Sequence, residues 1–184
     1  MKKIVFLMFA LVSAVFMFSM QSCSSSDDEN PTNHFTYNNT DYDLGIQGII
    51  EIDEQATEGV YSHVLDLITP GILYNEDSST ISGKGDVIYL RMNSPSPDKI
   101  ATGTYQFDLK NTELYNASMG GLVFNIDFDS KSDDDHDEIS FVRGSITVKE
   151  ESGIYEITWT LEDKDGTTIT GFFKGNLLKY IPEI

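Results

Sequence analysis

The chain has 184 residues, 12 Lys+Arg against 30 Asp+Glu, and a formal charge of −18 at pH 7. Such an acid excess argues against nucleic acid and anionic membrane surfaces as partners, because both recruit Lys and Arg. Cys23 is the only cysteine, so no intrachain disulfide framework exists and any domain must be held by its core.

The N-terminus has the grammar of an export signal. Lys2 and Lys3 form a basic start, Ile4 to Phe18 is apolar apart from Ser13, and no acid occurs before Asp27. The apolar run is shorter than the roughly 20 residues a membrane-spanning helix needs, and a polar stretch follows at once. Residues 1–22 therefore read as a cleaved signal peptide. Without them the chain has 162 residues, 10 basic against 30 acidic, and a charge of −20.

Met20-Gln21-Ser22-Cys23 resembles a bacterial lipobox, with Gln21 standing where a small residue is usual. The resemblance implies that Cys23 carries a covalent lipid (diacylglycerol plus a further acyl chain such as palmitate) and becomes the first residue of the mature protein. Several acyl chains hold far more firmly than one, at about 0.8 kcal/mol per buried CH₂. Residues 23–33 then form an acidic, flexible tether beginning Ser24-Ser25-Ser26-Asp27-Asp28-Glu29. Serines followed by acids directly after the lipid cysteine resemble the surface-export signal of Bacteroidetes lipoproteins. That likeness implies an outer-membrane protein facing the cell surface.

Residues 34–184 read as a single all-β domain. His34 to Asn38 alternates as a strand and Asn38-Asn39-Thr40-Asp41 is a turn cluster. Tyr42 to Ile52 is a second strand, bent at Gly45 and Gly48, and Tyr61 to Thr69 is a third, stopped by Pro70-Gly71. Val87 to Met92, Gly103 to Leu109 and Gly121 to Phe128 follow, and Asn111 to Met119 holds one helical turn at most. The last three strands are Glu138 to Lys149, Gly153 to Glu162 and Thr167 to Tyr180, joined at Ser152-Gly153 and Asp165-Gly166. The Asp-Gly pair predicts a type I′ hairpin turn. On the middle strand Tyr155, Ile157, Trp159 and Leu161 share one face, and Glu156, Thr158, Thr160 and Glu162 share the wet one. Adjacent Phe172 and Phe173 point to opposite faces, so one needs a second covering layer or a partner surface. The fold expected is an antiparallel meander of about 8–9 strands forming a barrel-like β-sandwich, with a closed lipocalin-like barrel as the alternative.

Ile100-Ala101-Thr102-Gly103-Thr104-Tyr105-Gln106-Phe107 and the run from Gly144 to Leu177 resemble segments of small Bacteroidetes lipoproteins. Their Gly-Thr-Tyr and Gly-x-Phe-x-Gly patterns are structural, and the likeness brings no activity to any residue.

The one notable polar cluster runs from Asp127 to Glu138. Asp127, Asp129 and Glu138 fall at positions 1, 3 and 12 of an EF-hand, but Lys131 and Ser132 occupy positions 5 and 6 and the flanks are strands. It fails as an EF-hand. A looser Ca²⁺ site from Asp127, Asp129, Asp133, Asp135, Asp137 and Glu138 stands beside the simpler reading of a solvated acidic loop. Asp163-Lys164-Asp165-Gly166 reads as a hairpin turn. His34, His63 and His136 show no metal spacing, and no phosphate loop or nucleophile motif occurs. No catalytic residue and no cofactor beyond the Cys23 lipid and possible Ca²⁺ are therefore assigned. The function expected is a noncatalytic surface lipoprotein, a binding or accessory module for a protein or glycan, held to the membrane by its lipid. A pilin-like structural or adhesive component, and a carbohydrate-active or small-ligand-carrying β protein, are the alternatives.

Overall fold

The computed structural model describes residues 32–130 and 136–180, the side chains of 53–55 excepted. Eleven strands run β1 (His34–Tyr37), β2 (Thr40–Asp43), β3 (Gln47–Thr57), β4 (Val60–Ile68), β5 (Ile72–Asn75), β6 (Thr80–Ser94), β7 (Gly103–Phe107), β8 (Asn116–Asp127), β9 (Glu138–Glu151), β10 (Ile154–Asp163) and β11 (Thr168–Tyr180). No helix occurs among the described residues.

Eight strands form a closed barrel in the order β10–β9–β7–β8–β6–β4–β3–β11, sealed where β11 pairs with β10. The all-β class and barrel-like closure are thus as expected from alternation. Two seams depart from a simple meander. Asn176–Tyr180 of β11 pairs in parallel with Gln47–Glu51 of β3. β7 wedges between β8 and β9, parallel to β8 through Gln106 and Phe107. Beyond it β8 and β9 meet directly, Gly121–Val123 against Glu138–Ser140.

Alternation decides what fills the bore. Tyr155, Ile157, Trp159 and Leu161 are all buried inward, as the β10 pattern requires. They join Leu65, Leu67, Ile88, Leu90, Tyr105, Phe141, Ile146 and Phe173 in one continuous apolar cluster. At one end the loop after β6 plugs the bore with fully buried Ile100. Ser94 ties that loop down, its hydroxyl accepting from the Ala101 amide (3.1 Å) and donating to the Lys99 carbonyl (2.9 Å). Fully buried His63 shares a hydrogen bond with the Ser96 carbonyl (2.8 Å). At the other end the β1–β2 hairpin brings Phe35 and Tyr42 together as stacked rings 4.6 Å apart, with Tyr42 also 5.5 Å from Phe124 of β8.

Outside the bore lies a second apolar layer. Ile49, Ile68, Ile72 and Val87 pack there with Tyr74, Ile81, Tyr89 and Tyr180. It forms because β5 and the first half of β6 make a hairpin against the outer wall. The close approach needs glycine: a Cβ on Gly83 (φ +90°) would meet the Gly71 carbonyl at 2.3 Å.

Several boundaries differ from the sequence expectation. The strand expected over Tyr42–Ile52 is split by Leu44–Ile46 into β2 and β3, β5 was not expected, and β6 begins at Thr80 rather than Val87. β8 begins at Asn116, leaving only a turn at Leu114-Tyr115. The Asp165-Gly166 connection is not type I′. Only Gly166 has positive φ there, the Gly166 amide bonds the Asp163 carbonyl (3.2 Å) and the Asp163 amide bonds Thr167 (3.0 Å). That is a type I turn with a G1 bulge. Ser152-Gly153 (φ 55° and 85°) and Asn38-Asn39 (51° and 60°) supply the type I′ turns instead.

Candidate functional site

Cys23, the signal segment 1–22 and the tether to Pro31 lie outside the described residues, as do Asp133 and Asp135. The other four acids of the supposed calcium loop are in view. Asp127 forms an ion pair with Lys84 at 2.5 Å, and that hydrogen bond holds its carboxyl below the usual carboxylate range. Asp129 accepts from the Gly83 amide at 3.1 Å. Glu138 instead accepts from the Tyr89 phenol, and Asp137 is exposed.

These acids do not converge. Glu138 is opposite Val123 on β8, four positions before Asp127, or about 13 Å at the rise of a strand. A calcium ion binds its oxygens at 2.3–2.6 Å. Among the described residues no group of three or more His, Cys, Asp or Glu is placed to hold a metal.

The outer wall carries ordered charge. Glu156 on β10 lies between Lys149 on β9 (2.7 Å) and Lys174 on β11 (3.8 Å), and Lys149 holds its carboxyl low. Arg143 forks onto Glu162, while Lys99 bonds Glu150 at 2.7 Å. Glu156 and Glu162, the acids opposite Trp159, are therefore partners in cross-strand ion pairs. Trp159 is core, at 3% exposure.

Asp163 is the turn's anchor. Burial alone would raise its carboxyl, but the amides of Thr167 (2.8 Å) and Asp165 (2.9 Å) bond it and bring it below the usual value.

Asp66 behaves differently. On β4 it stands between Ile49 of β3 and Tyr89 of β6. Burial, then the charge of Glu51, pushes its carboxyl up to about 7. Tyr89 is raised as well, by burial and then by its hydrogen bond to Glu138.

One concave feature of the outer wall, among the described residues, is an apolar cleft of about 340 Å³ between the β2–β3 connection and β5. Leu44, Ile49, Ile68, Ile72, Tyr74 and Leu178 line it. At its rim Ile46 is 77% exposed and Leu73 66% exposed. The sequence offered no signal for it, because its walls come from three separate stretches, residues 44–49, 68–74 and Leu178.

Fold and site together define a small capped β-barrel with a filled bore, whose available surfaces are on its outer wall. Compared with models of protein families, with curated proteins and with solved structures, the chain finds no match to any.

Proposed function

We propose that the chain is an exported lipoprotein, anchored through Cys23 and facing the cell surface, that presents its barrel as a noncatalytic binding or accessory module. The observation that carries the anchor is the apolar run Ile4–Phe18 followed, after Ser19-Met20-Gln21-Ser22, by the chain's only cysteine, Cys23. The filled bore supports recognition on the outer wall rather than carriage of a small ligand inside: fully buried Tyr105, Phe141 and Phe173 occupy the space a ligand would need. The acidic balance favours a cationic or uncharged partner, a protein or a glycan, over nucleic acid.

The test is labelling of intact cells with an antibody raised against residues 32–180. Surface labelling without permeabilisation is the expected result. Labelling only after the outer membrane is opened would overturn the cell-surface assignment.

A further inference from the structure

The place where the chain arrives at the barrel coincides with its most exposed apolar surface. Asn33 is bonded into the wall of the cleft: its side-chain amide donates to the Gly45 carbonyl at 2.8 Å, and its backbone carbonyl accepts from the Leu44 amide at 3.0 Å. Its side-chain oxygen accepts from the Lys174 amide at 2.7 Å, fixing it to β11 as well. The segment Leu44–Ile46 is thus held rigidly where the tether ends. A Cβ on Gly175 would meet the Ile46 carbonyl at 2.0 Å, so the backbones there are in direct contact. Ile46 nevertheless projects its side chain outward, beside Leu73 across the cleft.

Cys23 is nine residues before Thr32, and nine extended residues span at most about 32 Å. A lipid on Cys23 therefore keeps the start of the barrel at Thr32, beside the cleft, within about 32 Å of the bilayer. Two projecting apolar side chains on a rigid rim are what the boundary between headgroups and acyl chains takes up. An acidic domain is repelled by an anionic surface, so the fitting bilayer is a zwitterionic one.

We propose that the cleft rim formed by Ile46 and Leu73 is the membrane-contacting face of the barrel, seated in the interface of a zwitterionic bilayer. The inference rests on the lipoprotein reading above. It orients the barrel: β7, on the opposite side of the eight-strand ring from β3, faces away from the membrane.

The test uses the full chain purified from the envelope, its Cys23 lipid read by intact mass, in vesicles of phosphatidylcholine with brominated or plain acyl chains. Ile46→Trp places a fluorophore on the rim, and Leu109→Trp places one after β7, where the native side chain is 54% exposed. Native Trp159 is buried in both and contributes a common background. The expected result is loss of emission in brominated vesicles for Ile46→Trp and no loss for Leu109→Trp. Equal loss in both, or loss in neither, with the Cys23 lipid present would overturn the orientation alone. Absence of the lipid mass would overturn the lipoprotein reading and the inference with it.

Discussion

Tyr89 on β6 donates its phenolic hydrogen to Glu138 on β9, reaching across the Gly121 backbone of β8 between them. The ring can lie there only because residue 121 has no side chain: a Cβ would meet the Tyr89 hydroxyl and Cε1 at 2.9 Å and the Ile139 carbonyl at 2.7 Å. Gly121→Ala is expected to destabilise the barrel by about 1–3 kcal/mol, the range for forced overpacking. Tyr89→Phe, which keeps the ring and removes the hydrogen bond, should cost about 0.5–1.5 kcal/mol. Urea unfolding read by Trp159 fluorescence gives both values.

Asp66 gives the fold an unusual pH dependence. Its carboxyl is raised from 3.8 to about 7, first by burial and then by Glu51. The folded state holds this proton more tightly than the unfolded chain, so the stability it contributes is present below pH 3.8 and is lost as pH rises to about 7. The loss is on the order of 2–4 kcal/mol. The carboxylates of Asp127, Glu150, Glu156 and Asp163 are lowered and act in the opposite sense, losing their contribution as acid is added below the ordinary carboxylate range. Asp66→Asn should therefore flatten the decline towards pH 7 and leave the acid limb unchanged. An unchanged slope in the variant would assign the decline to another group.

The β1–β2 hairpin is coupled to the barrel through Phe35, fully buried and stacked on Tyr42. Phe35→Ala is expected to cost about 3–5 kcal/mol, as for a large aromatic removed from a packed core. Amide exchange should then accelerate in Thr40–Asp43, the outermost strand, before it does in β9 and β10. Uniform acceleration would mean that the hairpin does not open separately.

The loop from Asp127 to Glu138 gives a calorimetric prediction. Asp127 is engaged by Lys84, Asp129 by the Gly83 amide and Glu138 by Tyr89, so these three acids do not face one point. Titration with millimolar Ca²⁺ should produce no binding heat. A saturable heat abolished by Asp133→Asn and Asp135→Asn would instead establish a site.

How much of this was legible depended on whether the signal was local. The β9–β10–β11 meander could be read residue by residue, since Tyr155, Ile157, Trp159 and Leu161 alternate cleanly and short turns separate the strands. β5 was hidden because four residues, Ile72–Asn75, sit between Pro70-Gly71 and a second turn cluster. The start of β6 was hidden by Gly83 and Gly85, which lower strand propensity and are needed for close packing of the outer hairpin. The parallel seam joining Gln47–Glu51 to Asn176–Tyr180 links positions over a hundred residues apart, and no local pattern encodes such a pairing. The cleft depends on that seam through Leu178, so it too came into view only with the fold. Asp66 is one of 30 acids, and its surroundings, not its sequence context, set it apart.

The anchor at Cys23 is the central claim, and one substitution addresses it. Cells producing the wild-type chain or Cys23→Ala are fractionated, and each protein is partitioned into detergent and its intact mass measured. The wild-type is expected in the membrane and detergent fractions with acyl mass on a chain beginning at Cys23, and Cys23→Ala in the aqueous fraction without that mass. A Cys23→Ala protein that still enters the detergent phase with the membrane would contradict the lipoprotein account.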